Sequence, residues 1–271
     1  MFTLKETFAI SVQFLGTNFY GSQKQAPPVR TVQGELEKAL SIFFKTNIQV
    51  VFASRVDAGV HAKAMIGHFR LDPISTQQNI LNPELERKFC LHFNGLLPND
   101  ISVLGLKKVP NNFHAIKDAI SRTYIYKLRI GGQRNPLDES QIAYFHNPKS
   151  LNIKNLNELC YDLIGEKDFL GLSNKSVYSE KKPICHITNC FWRQSEEDLD
   201  LFTCEITANR FLYNMIRIII GTQIAVTNGK LKCDTLKNAL EYKDSQFVAS
   251  KAPAKGLCLK VIKYPFPLFD Q

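Results

Sequence analysis

The chain has 271 residues, 44% of them hydrophobic and 22% charged, enough apolar surface to bury a sizeable core and to argue against disorder over long stretches. Its 34 Lys and Arg against 25 Asp and Glu leave a net charge of +9, which suits a polyanionic partner such as RNA but also serves as ordinary solubility charge. Seven cysteines without a CxxC pair point away from a disulfide framework or a zinc knuckle, and no run approaches the roughly 18 apolar residues of a membrane span.

Met1 to Phe8 lacks the apolar segment of a secretory signal, so a reducing cytoplasm is the expected location. Phe8, Ile10, Val12 and Phe14 alternate with Ala9, Ser11 and Gln13, which predicts a first strand with one buried face. A turn-rich stretch from Gly16 to Arg30 follows. Thr31 then caps a helix whose apolar positions, Val32, Leu36, Ala39, Leu40 and Phe43, keep helical spacing. Two β-prone runs, Ile48 to Ser54 and Val60 to Arg70, flank the connection Arg55 to Gly59. A helix over Pro83 to Phe93 and a strand over Ile101 to Lys108 complete the first half.

Pro110-Asn111-Asn112 marks a boundary, giving expected domains at 1–110 and 111–271. The second half restarts with a strand from Arg122 to Ile130. A helix carrying Leu156, Leu159, Cys160 and Leu163 follows, ended by Gly165. Ile184 to Arg193 and Leu199 to Ala208 form a hairpin over the acidic turn Ser195-Glu196-Glu197-Asp198. A long helix from Arg210 to Val226, a shorter one from Asp234 to Tyr242 and a strand from Leu257 to Tyr264 close the chain. The expected fold is α+β: two related α/β domains whose antiparallel sheets join around a central active-site cleft.

Several residues invite a chemical reading beside a structural one. Asp57, in Arg55-Val56-Asp57-Ala58-Gly59, has small neighbours that let a ligand approach and a cation two residues away that favours its ionised form. It also fits a turn aspartate bonded to its own backbone. Tyr124 and Tyr126, beside Arg122 and Lys127, can stack on an unstacked base or fill a core. Arg217, inside Met215-Ile216-Arg217-Ile218-Ile219-Ile220, needs an anion if buried, and otherwise snorkels to the surface. His61 and His68 are seven residues apart, placing them on opposite faces of a strand, so structural roles are expected for them and for His92, His114, His146 and His186 rather than metal ligation.

Arg55-Val56-Asp57-Ala58-Gly59-Val60-His61-Ala62 resembles the Arg-Thr-Asp-Ala-Gly-Val-His-Ala signature of the tRNA pseudouridine synthase A family. Further blocks match in order: Thr31 to Leu40, Leu96 to Ile101, Phe113-His114-Ala115, Arg122 to Tyr126, Gly165 to Phe169, Ala208 to Arg217 and Lys255-Gly256-Leu257. The resemblance implies a cofactor-free homodimer that isomerises uridine in the anticodon stem-loop of tRNA, around positions 38 to 40. By the same resemblance Asp57 is the catalytic aspartate, Tyr124 stacks on the target uracil, Arg217 pairs with the aspartate, and Arg55 helps displace the nucleotide. The chain departs from the family pattern at Ser54, Val56, Leu15, Ser22 and Ile116, where Gly, Thr, Asp, Trp and Arg are usual. These departures leave open a catalytically silent tRNA-binding protein or RNA chaperone of the same fold, with a metal-dependent hydrolase as a third reading.

Overall fold

The computed structural model of the chain describes residues 5–72, 83–131, 135–145, 151–174 and 183–269. In chain order the elements are β1 (Glu6–Phe14), α1 (Val32–Phe44), β2 (Val51–Phe52), β3 (His61–Leu71), α2 (Pro83–Asn94), β4 (Ile101–Val109), β5 (Ser121–Ile130) and β6 (Ala143–Phe145). They continue with α3 (Ile153–Tyr161), β7 (Gly165–Asp168), β8 (Ile184–Gln194), β9 (Leu201–Ala208), α4 (Met215–Thr227), α5 (Thr235–Tyr242) and β10 (Leu257–Lys263). The fold is α+β. Contacts divide the chain into one unit of Met1–Ile120 with Leu259–Gln271 and a second of Ser121–Cys258. The division thus falls later than residue 110, and the last strand returns to the first unit. Residues 113–120 stay with that unit because Ala115 N–H donates to His68 Nδ1 and Ile120 N–H to the Lys263 carbonyl.

In the first unit the strands run β4-β1-β3-β10, with β2 paired to β3. β1 is antiparallel to both β3, through pairs such as Phe8↔Phe69, and β4, through pairs such as Ile10↔Leu106. The alternation of β1 predicts one buried face, yet Thr7, Ala9 and Ser11 are buried as fully as Phe8, Ile10 and Val12. A strand with neighbours on both edges and small residues on its second face is covered on both sides. Thr31 caps α1 as its residue type suggests, its hydroxyl accepting from Gly34 N–H at 3.2 Å. Phe43 and Phe44 of α1 meet Phe89 and Phe93 of α2 at ring separations of 5.1 to 6.1 Å, each such pair contributing about 1 kcal/mol beyond its buried area.

The second unit orders its strands β5-β9-β8-β7, with β6 added parallel to β5. β8 and β9 form the expected hairpin, with a register shift between Ile187 and Asn189. Asn157 of α3 clamps the backbone of Trp192 on β8, accepting from its N–H at 2.7 Å and donating to its carbonyl at 3.1 Å. The Trp192 indole N–H donates to Gln223 of α4. Two sequence expectations fail locally. α4 starts at Met215 rather than Arg210, because Asn214 takes a left-handed φ of 62°. α3 stops at Tyr161, and Gly165, at φ 100°, opens β7 instead of ending the helix. Among the described residues no helix is long and apolar enough to cross a membrane.

Candidate active site

Asp57 lies in the connection between β2 and β3, as expected, and several backbone contacts fix that connection. Its carbonyl accepts from Val60 N–H at 3.2 Å, closing a four-residue turn. Gly59 supplies the positive φ of 79° at the third position, a conformation that glycine adopts without strain. Gly59 N–H in turn donates to the Phe19 carbonyl. One residue before Asp57, Val56 N–H donates to the Ser22 hydroxyl at 3.0 Å and the Val56 carbonyl accepts from Ser22 N–H at 3.1 Å. Asp57 is half-buried, while Arg55 and Ala58 beside it are exposed.

The stretch from Gly16 to Arg30 forms the wall behind this turn. A Cβ at Gly16 would run into the Val60 carbonyl, and one at Gly21, whose φ is 99°, would come within 2.8 Å of the Val56 carbonyl. Only glycine permits so close a backbone approach at both places. Gly16 N–H also donates to His61 Nδ1 at 2.9 Å. Lys24 reaches the buried Glu37, whose Oε1 accepts from Gln33 and from Val50 N–H, so the same wall is tied to α1 and to the approach to β2.

His61 and His68 have the structural roles expected of them, though not for the reason of strand parity. The register of β3 on β1 slips by one residue between Ala62 and Met65, which cancels a parity argument. Their partners separate them: His61 serves Gly16, and His68 accepts from Ala115 N–H. Burial holds the His68 imidazole down at about 4, with His114 adding to the effect. His92 and His186 are exposed, and His146 lies outside the described residues.

Tyr124 and Arg217 belong to the second unit. Tyr124 is 4% exposed on β5, opposite Ile206, with its ring edge-on to Phe211 at 5.3 Å. Arg217 is half-buried in the first turn of α4, and its Nε–H donates to the Ala252 carbonyl at 2.8 Å while Ala252 N–H donates to the Arg217 carbonyl. The guanidinium is thereby locked to the segment before β10. The same segment is held to β5, since the Tyr126 hydroxyl donates to the Pro253 carbonyl and Gly256 packs on Tyr126.

Comparison with known proteins decides the family. The chain is 36% identical over 262 residues to tRNA pseudouridine synthase A of Parabacteroides distasonis, covering 97% of both chains. The chain belongs to the tRNA pseudouridine synthase A family. It is 34% identical over 255 residues to the Clostridium acetobutylicum member, covering 94% of this chain and 98% of that one. To the Bacteroides thetaiotaomicron member it is 32% identical over 266 residues, covering 98% and 93%. A family model described as tRNA pseudouridine synthase matches residues 159–265. The family is one of isomerases that convert uridine to pseudouridine.

Sequence reasoning located the Asp57 connection but missed its supports. Ser22 stands out: at 1% exposure it is an internal partner of the Asp57 turn, where the sequence showed only a departure from the family's tryptophan. No local pattern could reveal a hydrogen bond between residues 34 positions apart.

Proposed function

We propose that this protein isomerises uridine to pseudouridine in the anticodon stem-loop of tRNA, around positions 38 to 40, with Asp57 as the catalytic carboxylate. Tyr124, Arg217 and Arg55 are its substrate-binding residues. The observation that carries the reading is the placement of Asp57: a half-buried carboxylate at the start of a tightly braced turn, between buried Val56 and exposed Ala58. The reaction is redox-neutral and needs no cofactor. The N1–C1′ bond breaks, the uracil turns, and a C5–C1′ bond forms, with the C5 proton passing to solvent and N1 taking up a proton. A carboxylate serves this chemistry either by attacking C1′ or by abstracting the C2′ proton, and both routes need it ionised and held still. Extruding the base has an unstacking cost of a few kcal/mol, which aromatic stacking and cationic contacts to the backbone offset.

The protein acts in the cytoplasm, as a homodimer, on a tRNA substrate whose phosphates suit the net charge of +9. The experiment is incubation with tRNA carrying tritium at uridine C5. Wild type should release the label and Asp57→Ala should not. Undiminished release by Asp57→Ala removes Asp57 from the chemistry. Binding without any release supports the second reading, a silent tRNA-binding protein, for which exposed Ile116 at a position where the family carries arginine is the motivating departure.

A further inference from the structure

We propose that Ser22 is a positioning residue for Asp57, fixing the turn that presents the carboxylate. The inference rests on the catalytic role proposed above for Asp57. Ser22 is the point where three parts of the first unit meet. Its hydroxyl and N–H bind both backbone groups of Val56, the residue bonded to Asp57. Its own carbonyl accepts from Gln33 N–H in the first turn of α1, and the adjacent Gly21 carbonyl accepts from Val32 N–H. Ser22 therefore transmits the rigidity of a capped helix to the peptide that precedes the carboxylate.

The hydroxyl is the part of this link that sequence can remove. At 1% exposure the Ser22 side chain has no room for water to replace it, so its loss leaves Val56 N–H buried without an acceptor. The Asp57 turn is braced on its far side by Gly59 N–H to Phe19 and by the close approach of Gly16 to Val60. Without the hydroxyl the near side keeps only the bond from Ser22 N–H to the Val56 carbonyl, and that looser hold lets Asp57 pivot about the far-side anchor without unfolding the turn. A carboxylate that must meet one atom of an extruded nucleotide loses rate steeply with such a displacement. Affinity for tRNA, spread over many phosphate contacts, does not depend on it.

The test compares wild type, Ser22→Ala and Ser22→Cys, the last keeping the size with a weaker acceptor. Amide exchange by NMR reads the link directly, and single-turnover tritium release reads its consequence. Ser22→Ala should speed exchange at Val56 roughly tenfold or more. Exchange at Ile10 in β1 and Leu40 in α1 should stay unchanged. Its release rate should fall roughly ten- to a hundredfold at wild-type tRNA affinity. Ser22→Cys should lie between the two in both readouts. Unchanged exchange at Val56, an unchanged release rate, or a rate that falls only in step with affinity or global stability overturns the proposal. Absence of release by wild type removes the catalytic reading and the positioning role with it. That outcome is told apart from a failure of the Ser22–Val56 link by exchange at Val56, which still responds to Ser22→Ala.

Discussion

Arg30 grips Asp100 through two parallel hydrogen bonds of 2.8 and 2.9 Å while its guanidinium lies 4.1 Å over the ring of Phe19. Asp100 thereby ties together both ends of the stretch that backs the Asp57 turn, since its carbonyl also accepts from Leu15 N–H. Hydrogen bonding from Arg30 holds the Asp100 carboxyl below its ordinary value. A carboxyl lowered in the folded state adds stability that is present above its unfolded value and lost as pH falls through the folded one. Asp100→Asn should therefore cost about 2 kcal/mol at pH 7, with the deficit relative to wild type shrinking below about pH 4. Urea unfolding across pH measures this, and a deficit that grows in acid contradicts it.

His68 gives a second pH dependence in a separate window. With its folded value near 4 against about 6.5 unfolded, the neutral ring is favoured by folding. Its contribution is complete above about pH 6.5 and is lost as pH falls from there toward 4. Between pH 7 and 4.5, His68→Gln should lose less stability than wild type, by on the order of 2 kcal/mol. Equal losses in the two proteins would show that His68 does not titrate in this way.

Gly16→Ala tests the close backbone approach behind the Asp57 turn. The added methyl meets the Val60 carbonyl, which is backbone and cannot swing aside. Destabilisation by about 2 to 3 kcal/mol is expected, with loss of the Gly16 to His61 hydrogen bond visible in the imidazole NMR signals. A melting temperature equal to that of wild type speaks against the contact.

Arg217→Lys keeps a cation but loses the Nε–H that bonds Ala252. Turnover should fall at least roughly tenfold while the fold survives, because the planar group is held by that bond and an ammonium is not. Wild-type tritium release by the lysine variant would reduce Arg217 to a generic positive charge.

The thiols should separate cleanly in reactivity. Burial pushes Cys185 up to about 11 and raises Cys204, the 3.3 Å hydrogen bond from Cys190 raises Cys160, and Cys190, although its bond to Cys160 pulls it down, is raised by Cys204 and by burial, whereas Cys233 is exposed. Iodoacetamide at pH 8 should label Cys233 first and leave Cys160, Cys185, Cys190 and Cys204 unlabelled until denaturant is added. Peptide mass spectrometry reads the order of labelling.

Elements with their own local signal were readable from sequence. Thr31 before a helical apolar pattern specified the start of α1, and two alternating runs around an acidic turn specified the β8–β9 hairpin, because each depends on residues close in sequence. β6 and β7 were not readable, since strands of three and four residues carry no usable period and gain their place only by pairing with β5 and β8. The start of α4 was misread because Asn214 leaves the helical region within an apolar stretch that continues past it. At the candidate site the signature around Asp57 was legible. Its bracing by Ser22, Gly16 and Phe19 was not, because those bonds join segments that only tertiary structure brings together.

The return of Leu259 and the residues after it to the first unit has a consequence for synthesis. Residues 121–258 interrupt the first unit, so a ribosome completes the whole second unit before it finishes β10, the neighbour of β3 on the side away from β1. A nascent chain that already carries Asp57 must leave that edge of its sheet unfilled until β10 has been made. The unit encoded first is the one finished last, and the half-made chain is kept from a complete first sheet by the order of its own sequence.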